Sequence, residues 1–324
     1  MRRGPPFARY TLMASSPRPC VSRCTHMSKI SSSRLVKRGR NKLVTPQTIE
    51  KRVAAGDGCG VREEYVPWIK VRSIPSRGTS HIVPGVKIGR IHHLLSNAEY
   101  HYFLVLEHDP LIIDIREQFP LHPAAETHAI ASSLKISPPC YPHTDTPLVL
   151  TTDFLITVLD ANGGERLVAR SLKYLSELEQ ASKAERNRIL EKLDLERLYW
   201  ERRGVEWKLI LYENLPKTRI DNLLVLRSYA NITPEIASEK NIKQMLEVIA
   251  VAKFDLIPVR EFIKKISKVI YMQYRDAKKL FFHLLWIRKL EIDLNSNVIC
   301  LDQPLPVKVP AISNSASSEV AKNA

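Results

Sequence analysis

The sequence predicts an α/β core followed by a largely helical α+β domain, and three observations carry that prediction. Apolar residues in the middle of the chain recur with period 3.6 in some segments and period 2 in others. The run Asn162-Gly163-Gly164 is a hairpin signal between two of the period-2 segments. The C-terminal third changes texture, to three helical segments and then a strand–turn–strand pattern.

Residues 1–60 are rich in Arg, Lys, Ser and Pro and show no sustained apolar period, so they read as a basic, disordered tail. Residues 65–92 are aromatic, Pro-rich and basic, and read as an irregular arm on a surface. A helix is expected over 96–107, with Leu95, Glu99, Tyr102, Phe103 and Leu106 on one face and Asp109-Pro110 ending it. Strands follow at 111–119, 148–159 and 166–172, with a loop over 138–147 and the last two strands antiparallel. A long helix is expected over 176–203, because Ser176 with Glu179 forms a capping-box signature and Gly204 suits a C-cap. A strand over 206–212 completes an α/β domain spanning 61–215.

Helical periodicity returns over 236–252, 258–270 and 275–290. Strands at 291–294 and 298–301 around the turn Asn295-Ser296-Asn297 then give the winged-helix order for residues 216–305. In that arrangement the third helix would enter a DNA groove and offer Lys278, Lys279 and His283. Residues 306–324 read as a flexible tail.

The 324 residues are enough for two domains and tails, and 44% are apolar, enough for a sizeable core. The net charge of +15 suggests a polyanionic partner, most simply nucleic acid. The first 60 residues hold 13 Lys or Arg against 2 Asp or Glu, so +11 of that charge lies in the tail. Apolar runs are too short for a transmembrane helix, and no apolar region before Cys20 suggests a secretory signal. The expectation is a cytoplasmic protein without a membrane partner. The five scattered cysteines lack zinc spacing and read as reduced thiols, and no Gly-rich phosphate loop supports nucleotide hydrolysis.

Three polar residues stand out against apolar surroundings. Asp153 sits in a strand between Thr152 and Phe154, where a carboxylate is costly unless paired or metal-bound. An edge-strand Asp facing solvent is the alternative. Lys173 shares a strand face with Ser171 and could polarise an attacking water; a solvated lysine at a strand end would look the same. Glu99 lies on the apolar helix face, yet Ser96-Asn97-Ala98-Glu99 also matches a capping box. Arg116 could bridge Asp114 or Glu117. The ten histidines show no chelating pair and read as structural or DNA-facing.

Together these segments resemble the TnsA family, endonuclease subunits of heteromeric bacterial transposases. The resemblance rests on Gly89-Arg90-Ile91-His92-His93-Leu94-Leu95-Ser96 leading to Glu99, on Asp114-Ile115-Arg116-Glu117-Gln118-Phe119-Pro120-Leu121, and on Thr151-Thr152-Asp153-Phe154-Leu155. It continues through Val168-Ala169-Arg170-Ser171-Leu172-Lys173 and Glu196-Arg197-Leu198-Tyr199-Trp200. The arm Pro67-Trp68 and Pro75-Ser76-Arg77-Gly78 is similar too, so the likeness covers residues 60–300.

The resemblance implies a restriction-endonuclease-like mixed-sheet core followed by a winged-helix-like domain. It makes Glu99 and Asp153 the acidic active-site residues and Lys173 the catalytic lysine. Mg²⁺, with Mn²⁺ as a substitute, would be held by Asp153, Glu99 and the backbone carbonyl of Leu172. Ser171 stands where the family pattern often has Glu or Gln, a departure from the expected ligand set. DNA contacts are expected from Arg77, Arg90, His92, Arg170, Lys278 and Lys279. The implied activity is cleavage of the 5′, non-transferred strands at transposon ends on double-stranded DNA. The implied partners are a DDE-type transposase and an AAA+ regulator ATPase. A free-standing restriction or repair nuclease, or a non-catalytic winged-helix scaffold, are the competing readings.

Overall fold

Helix formation begins earlier than the basic composition of the N-terminus suggests. The computed structural model describes residues 43–73, 78–251 and 256–310. Within the segment read as a disordered tail, Thr45 caps helix α1 (Pro46–Ala54) by accepting a hydrogen bond from the Thr48 amide. Arg52 of α1 lies over the Trp68 ring at 3.7 Å, and Trp68 is fully buried. The arm expected on a surface is therefore partly an inner layer. Tyr65 is buried and its hydroxyl donates to the Glu117 carbonyl. The arm continues into an antiparallel hairpin of β1 (His81–Pro84) and β2 (Ile91–Leu94).

Ser96 caps α2 (Asn97–His108), and β3 (Ile112–Pro120) follows. Helix α3 (Ala124–Ser133) was not expected, since its Ala- and Ser-rich sequence has little apolar periodicity. Strands β4 (Thr151–Leu159) and β5 (Glu165–Lys173) form the expected antiparallel hairpin, with Gly163 at φ 78° where a side chain would be strained.

The expected single long helix is two. A short α4 (Leu175–Glu179) ends before α5 (Lys183–Glu201), whose capping box is Ser182 with Glu185 rather than Ser176 with Glu179. Gly204, at φ 65°, follows α5, and β6 (Glu206–Leu211) returns parallel to β5. The four-stranded sheet is thus mixed, in the order β3-β4-β5-β6. One face is covered by α2 and the small hairpin, through residues such as Phe103, Leu94 and Ile156. The other is covered by α3 and α5, through Ile130, Leu195 and Trp200. Central β4 is accordingly buried from Phe154 to Val158.

Helix α6 (Lys217–Arg227), also not expected, is followed by α7 (Glu239–Val251), α8 (Val259–Val269) and α9 (Tyr274–Trp286). Their core includes Leu223, Ile263, Leu280 and Phe281, and it takes in Leu104 of α2. Described residues from Val44 onward belong to one compact unit. The C-terminal hairpin differs from expectation. Residues 291–294 do not pair with 298–301. Glu291 pairs instead with Lys308, and Pro258 with Pro304. The intervening segment is held by the buried Asn222 side chain, which donates to the Leu294 and Asn297 carbonyls and accepts from the Ile299 amide. The chain expected to run free from residue 306 is therefore paired as far as Lys308.

Candidate active site

The site forms where the β4–β5 ladder stops. Paired positions run from Leu159–Glu165 to Phe154–Arg170 and go no further. Beyond that point the Asp153 carboxylate takes the place of a backbone acceptor, with Oδ2 2.7 Å from the Leu172 amide. Asp153 is half-buried and shares a cleft of about 480 Å³ with Thr151, Ser171, Lys173, Glu177 and Glu196. Lys173 Nζ lies 3.0 Å from the Leu172 carbonyl.

Glu99 approaches from α2 and does both things its sequence context allowed. Its Oε2 accepts from the Leu95 amide at 2.9 Å, and the Ser96 hydroxyl accepts from the Glu99 amide at 3.1 Å, which is the cap. The same carboxylate is buried close enough to Asp153 for burial, and then that neighbour, to push its pKa up to about 8. Burial alone would lower the Lys173 ammonium. Asp153, then Glu177, Glu196 and Glu99, outweigh burial and hold it above the usual lysine value. Asp153, Glu99 and Lys173 thus share one electrostatic neighbourhood.

Sequence reasoning missed two residues. Gln118 sits in left-handed backbone at φ 49°, an uncommon conformation for a non-glycine residue. Its amide donates to Glu99 Oε2 at 3.2 Å while its carbonyl oxygen accepts from the Thr151 hydroxyl at 3.2 Å. It links the α2 carboxylate to the start of β4. The second is Glu196 of α5, which accepts a short hydrogen bond from Ser171. Ser171 Oγ in turn accepts from Trp207 Nε1 at 3.1 Å. A helix-borne carboxylate therefore occupies the neighbourhood that Ser171 cannot fill with its own side chain. Burial, and then Asp153, push the Glu196 pKa up to about 7. The signal was present in the sequence: Glu196 lies on the apolar stripe of α5 with Leu193, Tyr199 and Trp200.

Residues 109–211 match the family model described as TnsA-like endonuclease N terminal. Over that segment the chain is similar to the N-terminal domain of TnsA-like endonucleases. It is also 35% identical over 191 residues to the transposon Tn7 transposition protein TnsA of Escherichia coli. That match covers 59% of this chain and 65% of the relative, a little under two thirds of its length. The matched segment contains Asp153, Ser171, Lys173 and Glu196, whereas Glu99 lies ten residues before it.

Several residues expected to face DNA are placed elsewhere. Arg90 is turned inward, with its guanidinium on both Glu117 oxygens and its Nη2 2.7 Å from the Ile115 carbonyl. His92 is fully buried, with Nδ1 2.9 Å from Glu117 Oε2. Both serve a buried carboxylate rather than an open surface, because β2 packs against β3 at this point. Arg116 pairs with Asp114 at 3.2 Å and not with Glu117. Arg170 is largely engaged by the Glu206 carboxylate at 2.6 Å. Arg77 lies outside the described residues. Lys278 and Lys279 are half-buried on α9, and Lys279 lies 3.6 Å from Asp276. His283 donates to the Tyr229 carbonyl at 2.9 Å, so it faces the protein.

The donor chemistry of the site fits Mg²⁺. Asp153, Glu99 and the Leu172 carbonyl offer hard oxygens, which that ion prefers. Among the described residues no three His, Cys, Asp or Glu side chains are grouped to hold a metal by themselves. Two carboxylates, a carbonyl and water suit an ion that keeps much of its hydration. Glu196 lies beside this set, so if the site cleaves DNA, Glu196→Gln should lower that cleavage by about 10–100-fold. Retention of full single-turnover cleavage by that variant would remove Glu196 from the site.

Proposed function

We propose that this chain is a Mg²⁺-dependent DNA endonuclease that cuts the 5′, non-transferred strands at transposon ends. It would act with a DDE-type transposase and an AAA+ regulator. The observation that carries the reading is the meeting of Asp153, Glu99 and Lys173 at the open end of the β4–β5 ladder. The TnsA-like domain and a relative named for Tn7 transposition support the transposon context.

Metal bound at the site would acidify an attacking water and offset charge on the phosphorane. Asp153 and Glu99 hold and orient that position, and the Leu172 amide fixes the Asp153 rotamer. Lys173 stays protonated and donates hydrogen bonds to water or a phosphate oxygen, a role of electrostatic stabilisation rather than of base. Lys173→Ala should accordingly cost about 10²–10³-fold in cleavage rate.

The C-terminal third reads as a reduced winged helix, with α7–α9 and the pairings at Pro258–Pro304 and Glu291–Lys308. Seven of the thirteen residues of α9 are buried, which leaves little of it for a groove. The exposed basic stripe is on α8, at Lys264, Lys265 and Lys268, next to Tyr271, which is 98% exposed. We place the DNA-backbone contact there. Replacing the three lysines by Gln should weaken duplex binding uniformly across sequences. It should also flatten the slope of log K against log[salt] by roughly 2–3. An unchanged slope would move the contact elsewhere.

The functional reading is tested with the purified full chain, transposon-end DNA, Mg²⁺, a DDE-type transposase and an AAA+ ATPase. Incision of the 5′ strands only when those partners are present is the expected result. Cutting of bare DNA by the chain alone would favour a free-standing nuclease. Transposition that survives Asp153→Asn would favour a scaffold.

A further inference from the structure

A second cavity, of about 250 Å³, lies between the C-terminal end of α2, helix α6 and the segment after α9. His108, Arg219 and Arg288 line it together with Leu226, Leu285 and Leu290. His108 is only 8% exposed, and neither ring nitrogen makes a hydrogen bond of good geometry, although the Leu285 backbone interacts with the ring. Arg219 Nε is likewise buried without an acceptor. Among the described residues neither Arg219 nor Arg288 forms an ion pair within 4.0 Å. Buried polar groups in folded proteins are normally satisfied, so the His108 ring and Arg219 Nε call for an explanation, and the exposed Arg288 lines the same cavity.

The chain also accepts an unfavourable backbone to place one of these cations. Arg288 follows the C-cap of α9 at φ 61°, where glycine is the usual residue. Burial first, and then Arg219, Arg288 and Lys87, push the His108 pKa down to about 4, against a smaller opposing effect of the Leu285 backbone. Two carboxylates stand nearby. Glu291 is exposed, and Asp293 is turned back on its own loop, accepting from the Asn295 amide at 2.8 Å and from the Ser296 hydroxyl.

We propose that this cavity is a phosphate-binding site in which Arg219, Arg288 and His108 donate to the oxygens of one phosphate group. A phosphate offers acceptors only, which is what buried N–H groups lack. The volume admits the group with accompanying water. The phosphate is either free in solution or part of a DNA backbone, and the site is separate from the Asp153 cleft.

The test is a thermal-melt titration of the full chain with sodium phosphate against sodium chloride at matched ionic strength. A saturable rise in melting temperature with phosphate alone is expected. Arg219→Gln and Arg288→Gly should each raise the half-saturating concentration about tenfold or more, the loss of one charge-assisted bond. Arg288→Gly suits the left-handed backbone, so it should fold even if Arg219→Gln does not. Equal melting in the two salts, or a wild-type response from Arg288→Gly, would overturn the assignment. Duplex affinity of the same variants separates the sources: a parallel loss identifies a DNA phosphate, and unchanged duplex binding identifies free phosphate.

Discussion

Asp153→Asn should fold normally and lose strand cleavage by at least about 10³-fold. The side-chain oxygen of Asn can still accept from the Leu172 amide, so the bond that positions residue 153 at 2.7 Å survives. What disappears is the negative charge. An active-site metal ion is worth several kcal/mol of transition-state stabilisation, and each 1.36 kcal/mol is tenfold in rate. A cleavage assay on end DNA with Mg²⁺ reads the loss, and circular dichroism checks the fold. The variant should still assemble with the proposed transposase and ATPase, so an uncut complex is expected on a gel. Cleavage within tenfold of wild type would mean that Asp153 does not hold the ion.

Arg90→Ala carries the largest expected cost in stability. Glu117 is fully buried and has its charge satisfied by the Arg90 guanidinium, His92 Nδ1 and the His93 amide. Burial alone would raise its pKa, but hydrogen bonds from Arg90 and His92 overcome that and bring it down to about 2. Removing Arg90 strands a buried carboxylate, which costs about 3–5 kcal/mol. The melting temperature should fall by roughly 10 °C or more.

The acid side gives a second reading of the same cluster. A carboxyl whose folded pKa lies below its unfolded value stabilises the fold above the unfolded pKa. That contribution fades as pH drops from the ordinary glutamate range toward about 2. Denaturant melts between pH 5 and pH 2 should show this loss in the wild type and a shallower one in Arg90→Ala. Adding Glu117→Gln to Arg90→Ala should recover part of the stability, since an amide is cheaper to bury unpaired than a charge. Equal stability of Arg90→Ala and wild type would show that Glu117 is served by other groups.

The parts of the fold that were legible in the sequence were those written in local chemistry. The β4–β5 hairpin announced itself through β-branched residues and the Asn162-Gly163-Gly164 turn. The start of α2 showed in Ser96 and Glu99. The break between α4 and α5 did not, because Ser176 and Glu179 imitate the capping box that Ser182 and Glu185 form. The inward turn of Arg90 and His92 was also hidden. It depends on β2 lying beside Glu117 of β3, a contact between positions 25 or more residues apart. The site divides in the same way. Asp153 and Lys173 stood out as charges in apolar strands. Gln118 and Glu196 act through neighbours brought together by the fold, which a linear pattern does not register.

Helix α2 has a consequence for anyone who wishes to dissect the protein. Its first turn supplies Glu99, while Leu104 sits among the C-terminal helices and Glu107 accepts from Arg227 Nε at 2.6 Å. A shortened polypeptide ending after β6 would leave Leu104 bare to water and Glu107 an unneutralised interior acid. The half that holds the candidate site is therefore not a severable module. Recombinant work on it should keep the helices through Trp286, or replace Leu104 and Glu107 with polar residues that tolerate solvent.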